Sequence, residues 1–287
     1  MFDGVHRGHR EILKAAVRQA RRMGGTSIVV TFWPHPQKEE SLYSLEHRLR
    51  LIEELGIDVC IVINFNQKFA RISASNFVKD ILIKKIGVHY LYVGKNFRFG
   101  KNAKGDYRTL KKLSSVCNFK LKVFAVIRSR NQPISSTYIR ALIKKGDLLT
   151  AEKLLCHPVT VLGTVTKGAR LGRRLGFPTA NINPHHEVLP PQGVYAVKII
   201  FNQRQLNGIC YIGTKPTLNT QYAIRNTQYE KHIEVYIFNF KKNIYGQYLE
   251  IQFLKKIRDE RKFASLLALV KQVKKDIILV KRLFSCH

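Results

Sequence analysis

Two histidines, His6 and His9, flank Arg7-Gly8 just where a helical pattern begins. At a helix start the free N–H groups and the dipole favour anions. Gly8 lets a phosphate approach the backbone closely. An imidazole pair there can donate hydrogen bonds to phosphorus-bound oxygens as charge builds during nucleotidyl transfer, with no covalent intermediate. The same four residues also fit an ordinary helix cap with two surface histidines. A second segment of this half, Ile134-Ser135-Ser136-Thr137-x-Ile139-Arg140, opens another helix. Ser136, Thr137 and Arg140 offer a triphosphate hydroxyls, backbone N–H groups and one guanidinium. Alone, that segment reads as a Ser/Thr N-cap with a surface arginine.

The second half carries its own chemistry. Gly168, Gly172 and Gly176 recur every four residues in Gly168-Ala169-Arg170-Leu171-Gly172-Arg173-Arg174-Leu175-Gly176. That is too much glycine for a stable helix. A glycine-rich arch bearing Arg170, Arg173 and Arg174 suits a phosphate chain. Thr179 and Asn181 follow as alternate residues of an extended segment, so their side chains share a face. Their hydroxyl and amide oxygens are hard ligands suited to Mg²⁺ held together with phosphates. Glu234 lies in a strand-like run, His232-Ile233-Glu234-Val235-Tyr236. A carboxylate there can take the proton of a primary hydroxyl as it attacks a γ-phosphate, although an isolated strand glutamate more often faces solvent. No P-loop is present: Gly100 to Gly105 is followed by Asp106-Tyr107, where Lys and Ser/Thr would be required.

These residues need elements to hold them. In the first half, helical patterns over residues 12–23, 44–55, 73–86, 106–116 and 135–155 alternate with strand patterns over 26–33, 58–63, 89–93 and 120–127. Alternation with short links predicts βαβ units and a parallel sheet with helices on both faces. In the second half, strand patterns dominate (159–166, 193–201, 206–212, 232–240, 248–254) and predict a small antiparallel barrel. A closing helix carries Phe263, Leu266, Leu267, Val270, Val273, Ile277 and Val280 on one stripe. The switch near Cys156-His157-Pro158 predicts two domains, 1–157 and 158–287.

The chain of 287 residues has 50 Lys+Arg against 19 Asp+Glu, a formal charge of +31. Such a surplus points first to nucleic acid or an anionic surface. Its distribution favours a solvated basic surface instead. Residues 1–157 carry +17, from 29 basic and 12 acidic side chains, and residues 158–287 carry +14, from 21 and 7. Aromatics do not interleave with Lys/Arg as a base-stacking platform requires. No apolar run approaches the ~20 residues of a membrane span, and the opening residues do not read as a secretory leader. Five scattered cysteines without a CxxC pair predict a reducing, cytoplasmic setting and no zinc site.

Further segments sit in register with these. Phe2-Asp3-Gly4-Val5-His6-x-Gly8-His9 opens the chain. Thr31-Phe32-x-Pro34-His35-Pro36 follows one strand, and Val93-Gly94-x-Asn96-Phe97-Arg98-Phe99-Gly100 closes another. Lys167 to Ile182, Tyr245-Gly246 and Ile257-Arg258-Asp259-Glu260 complete the series. With them the sequence resembles the prokaryotic bifunctional riboflavin kinase/FAD synthetases along essentially its whole length.

The resemblance implies an α/β nucleotidyltransferase-like (Rossmann-like) FMN adenylyltransferase domain, followed by a six-stranded riboflavin kinase barrel with a carboxy-terminal helix. It implies riboflavin, FMN and ATP as substrates, FMN and FAD as products, and Mg²⁺ as cofactor. It implies contacts from His6, Gly8 and His9 to the ATP phosphates, with Ser136, Thr137 and Arg140 at their far end. It implies Gly168, Arg170 and Gly172 around the second phosphate chain, with Thr179 and Asn181 as Mg²⁺–ATP ligands. Glu234 is implied as catalytic base, and Asn96 and Arg258 as flavin neighbours.

Several positions depart from the family pattern: Asn96, Tyr211, Tyr236 and Asn239 replace Asp, Asn, His and Asp. Members also carry a strand before the Phe-Asp-Gly-Val segment, expected to be central in the sheet. This leaves two expectations besides the bifunctional one: a start further upstream, or a kinase beside an inactive, truncated adenylyltransferase. A basic nucleic-acid-binding protein is the remote alternative. An assembly of identical chains stays open.

Overall fold

A computed structural model describes residues 2–34, 41–129, 131–168, 171–216 and 229–285. The chain divides into two compact units, Met1–Tyr138 and Ile139–His287.

The first unit opens with α1 (Arg7–Met23), capped by His6 and stopped by Gly24 in the left-handed conformation at φ 61°. Leu13 and Val17, one turn apart, are buried, whereas Met23 at the end of the expected stripe is half exposed. Then follow β1 (Ile28–Trp33), α2 (Leu45–Glu53), β2 (Val59–Asn64), α3 (Gln67–Ala70) and α4 (Ala74–Asn76). α4 runs into a wide π-helical segment, Phe77–Lys85, where an ordinary helix was expected. Its last turn closes with Ile86 N–H donating to the Ile81 carbonyl at 3.1 Å. β3 (Tyr90–Gly94), a 3-10 turn at Lys101–Ala103, α5 (Tyr107–Val116), β4 (Lys120–Phe124) and the small hairpin β5 (Arg128–Ser129) and β6 (Gln132–Pro133) complete the run. α6 (Ser136–Lys145) carries the chain across the division into the second unit. A core of Phe77, Val78, Leu82, Val93, Phe99, Leu110 and Phe119 joins the π-helical segment to β3 and α5.

The strands pair in parallel, as the alternating pattern requires, but in two separate pairs: β1 with β2, and β3 with β4. Among the described residues no strand lies between β1 and β3. A cavity of about 750 Å³ occupies that place, lined by Ile28, Val30 and Phe32 of β1 and Tyr90, Leu91 and Val93 of β3.

The second unit holds α7 (Leu148–Leu155) and a closed barrel of β7 (Val159–Thr166), β8 (Ala180–Asn183), β9 (Gly193–Phe201), β10 (Arg204–Pro216), β11 (Tyr229–Ile237) and β12 (Tyr248–Arg258). The strands follow one another around it in the order β10-β11-β8-β7-β12-β9, and all pairings are antiparallel. A short helix, α8 (Leu171–Arg174), interrupts the link from β7 to β8. Closure removes the sheet edges that an open antiparallel sheet leaves exposed. β9 is buried on both faces. Tyr195 turns inward to meet Phe253 edge-on, while Val194 and Ala196 pack with Ile277 and Val280 of α9 (Leu266–Ser285). The expected stripe of α9 therefore packs on the barrel at Val273, Ile277 and Val280, whereas Leu266 and Leu267 are exposed. A part-buried ion pair takes over part of the docking. Arg258 Nε donates to Asp276 Oδ2 at 2.9 Å, and Gln272 Nε2 donates to Asp276 Oδ1 at 2.5 Å.

The facing edges of β1 and β3 can be read residue by residue. Ser27 and Trp33 carbonyls accept bonds from Val59 and Phe65 on the β2 side. Lys120 N–H donates to the His89 carbonyl, and Lys95 N–H to the Phe124 carbonyl. Successive strand residues point their backbone groups to opposite sides, so Ile28, Val30, Phe32, Tyr90 and Tyr92 turn theirs toward the cavity. Their amides should exchange with deuterium at least about tenfold faster than those of Val29, Thr31, Leu91 and Val93. Residue-resolved exchange tests this, and equal protection on both sides would show that the edges are covered.

Candidate active sites

The first site forms at the start of α1. His6 is its N-cap, and His6 Nδ1 accepts from Gly8 N–H at 3.2 Å. That bond places the ring proton of neutral His6 on Nε2. His9 follows nearly one turn later, and the two rings stack with centroids 3.7 Å apart. Phe2 meets His9 edge-on at 5.2 Å. Burial pushes the His6 imidazole down to about 4. It pushes His9 down as well, helped by His6 and Arg48. Both rings are therefore neutral at pH 7, each with a single N–H to donate. His9 Nδ1 is buried and makes no hydrogen bond with the described residues.

His6, Gly8, His9, Gly94, Asn96 and Ser136 all line the cavity between β1 and β3. Three motifs far apart in sequence thus meet at one wall. Ser136 also ties this wall together, its hydroxyl donating to the Asp3 carbonyl at 2.7 Å. The Asp3 carboxylate in turn accepts from Leu42 N–H at 3.0 Å. Of the described residues, Thr137 and Arg140 lie outside the cavity lining; Arg140 is buried on α6. Pro34 is described, while His35 and Pro36 lie outside the described residues.

The second site lies on the outer face of the barrel. Glu234 of β11 stands opposite Asn181 of β8 and Tyr211 of β10. Its neighbours Cys210 and Val235 take the inner face and are fully buried. Burial, and then the Glu234 charge, push the Cys210 thiol well above its ordinary range. Thr179 Oγ1 donates to Glu234 Oε2 at 3.0 Å. A hydroxyl that donates its proton keeps two lone pairs, so Thr179 can serve the carboxylate and a cation together.

The glycine arch covers this strand. A Cβ on Gly168 would overlap the Asn181 side chain, and one on Gly172 would fall 2.5 Å from the Phe177 carbonyl and 2.9 Å from Thr179 Oγ1. Only glycine permits that approach. Arg170 lies outside the described residues. Arg258 anchors α9 through Asp276 and lies 5.7 Å from the Phe263 ring.

Two contacts were not read from the sequence. His232 Nε2 lies 2.6 Å from Glu234 Oε1. The signal was the two-residue spacing on a strand, which puts both side chains on one face. Tyr211, a departure from the family pattern, donates its hydroxyl to Glu260. Burial and that bond raise its pKa.

Two outcomes follow from this geometry. Gly168→Ala should cost the barrel about 1–3 kcal/mol, read as a lower melting midpoint; an unchanged midpoint would show the arch free to move. For His6 the unfolded chain binds a proton below pH 6.5, whereas the folded form resists it down to about 4. Its stability contribution is thus complete above pH 6.5 and is lost as pH falls toward 4, by about 3 kcal/mol. The sole tryptophan, Trp33 in β1, reports on the first unit alone. Denaturation followed by its fluorescence should show a shallower loss between pH 7 and 4.5 in His6→Gln than in the parent. Equal slopes would remove His6 as the source.

Comparison with known proteins identifies both halves of the chain. A family model described as FAD synthetase matches residues 1–138, and one described as riboflavin kinase matches residues 155–284. The bifunctional riboflavin kinase/FMN adenylyltransferase of Escherichia coli K12 is 35% identical over 99% of this chain and 90% of its own. That of Bacillus subtilis 168 is 37% identical over 99% and 90%. A crystal structure described as a macrolide-efflux protein from Streptococcus pneumoniae matches with a TM-score of 0.81 and 28% identity, over 98% of this chain and 91% of that one. No helix among the described residues is long and apolar enough to cross a membrane. With both halves matched in order and identity above one third across nearly the whole length, the chain belongs to the family of bifunctional riboflavin kinases/FMN adenylyltransferases.

Proposed function

We propose that the chain makes FMN from riboflavin at the barrel and FAD from FMN at the first unit, using ATP in both steps. The observation that carries this is the Glu234 cluster: a carboxylate held by Thr179 and facing Asn181 beneath a glycine arch.

In the kinase step the riboflavin 5′-hydroxyl attacks the γ-phosphorus of ATP. A new oxygen–phosphorus bond forms, the bond to the β-phosphate oxygen breaks, and ADP leaves. Glu234 takes the hydroxyl proton. Gly168 and Gly172 face the phosphate chain, and Arg170 is assigned the role of offering it a guanidinium. The oxygens of Thr179 and Asn181 fit Mg²⁺, which when bound with the phosphates offsets their charge. Arg258 belongs to the flavin side.

In the second step a phosphate oxygen of FMN attacks the α-phosphorus of ATP, and pyrophosphate leaves. His6 and His9 donate N–H groups to the phosphorus-bound oxygens, beside Gly8 and the start of α1. Ser136, Thr137 and Arg140 serve the far end of the chain, and Asn96 the flavin. The catalytic modules are proposed as residues 1–157 and 158–287. ATP chemistry and the free thiols of Cys60, Cys117, Cys156 and Cys210 fit a cytoplasmic enzyme.

Purified protein given riboflavin, ATP and Mg²⁺ should form FMN and then FAD, separable by chromatography. Glu234→Gln should lower FMN formation at least about a hundredfold while leaving FAD formation from supplied FMN. His9→Ala should do the reverse. Equal loss of both steps in either variant would overturn the two-site assignment. The alternative reading is a kinase alone. FMN accumulating without FAD would establish it.

A further inference from the structure

We propose that His232 is the positioning residue for Glu234, holding the carboxylate that accepts the riboflavin proton. This deepens the kinase reading above and rests on Glu234 being its base.

His232 and Glu234 are alternate residues of β11 and share its outer face. His232 Nε2 lies 2.6 Å from Glu234 Oε1, while Thr179 Oγ1 donates to Oε2 at 3.0 Å. Each carboxylate oxygen thus has a partner on a different element, β11 itself and the segment leading into β8. The side chains are only 18% and 29% exposed, unlike a surface pair that solvent dissolves.

A carboxylate fixed at one oxygen still rotates about its bond to the chain. Fixed at both, it is held in one plane, and each oxygen keeps a lone pair for an arriving hydroxyl. Asn181 and Tyr211 border the carboxylate from β8 and β10. Tyr211 directs its hydroxyl away, to Glu260. No function described above requires a ring nitrogen at position 232, and the short contact to the proposed base gives it one. Holding a base in its productive geometry before substrate arrives lowers the barrier rather than improving binding.

His232→Phe keeps a ring and removes the nitrogen. It should lower kcat for FMN formation about ten- to a hundredfold, with the KM for riboflavin within about twofold. FAD formation from FMN should be unchanged. His232→Gln, which keeps an N–H donor, should recover part of the loss. Free imidazole added to His232→Ala should restore activity, which a merely structural defect would not allow. A melting curve confirms that each barrel is folded. The inference is overturned if His232→Phe matches the parent in kcat. It is also overturned if only KM rises, or if neither glutamine nor imidazole restores a loss. Glu234→Gln, assayed alongside, separates the two levels. If it keeps full FMN formation, the base assignment fails and this inference with it. If it is inactive while His232→Phe is normal, the base stands and only the role of His232 falls.

Discussion

The second half of the chain is arranged around one close approach. The backbone at Gly168 and Gly172 lies against Asn181 and Thr179 with no room for a Cβ. That approach lays the link between β7 and β8 over the start of β8. The Thr179 hydroxyl points from there to Glu234, and barrel closure fixes Glu234 opposite Asn181. The outer face that carries these groups continues into the seat of α9, where Val194 and Ala196 pack and Arg258 meets Asp276. One surface thus combines a polar site with an apolar anchor.

The first half solves a different problem. Its candidate site residues at the chain start, those after β3 and Ser136 at the start of α6 line a single cavity. The wall is made of short local devices: a side-chain cap on α1, a Ser136 tie to Asp3 and an Asp3 tie to Leu42. What it lacks among the described residues is a strand joining β1 to β3. A parallel sheet draws its stability from burial on both faces and pairing on both sides. Here neither condition is met: β2 and β4 hold no buried residue, Val59, Val62 and Val123 are exposed, and one edge of each pair faces the cavity.

Much of this was legible in the sequence because periodicity survives packing. β7 and β9 fall on their expected residues, and Gly24, Asp106 and Asp147 cap the helices that the pattern delimits. The misses have physical causes. β10 and β12 run several residues past their apolar cores, because hydrogen bonding to neighbouring strands continues where the hydrophobic signal stops. Leu266 and Leu267 continue the α9 stripe but find no surface beneath them. The wide turn at Phe77–Lys85 has the same apolar spacing as an ordinary helix. The site was legible as residue types at fixed spacing. The partnership of His232 with Glu234 was not, since a histidine two residues before a carboxylate says nothing until the strand shows which face both occupy.

The stacked imidazoles at the start of α1 have a further consequence. Buried and uncharged, they line one wall of the cavity with N–H groups rather than with charge. A polyanion arriving there supplies the counter-charge that burial withheld, and so raises the proton affinity of both rings. Capture of an anion at that wall would then be coupled to proton uptake, and its departure to proton release.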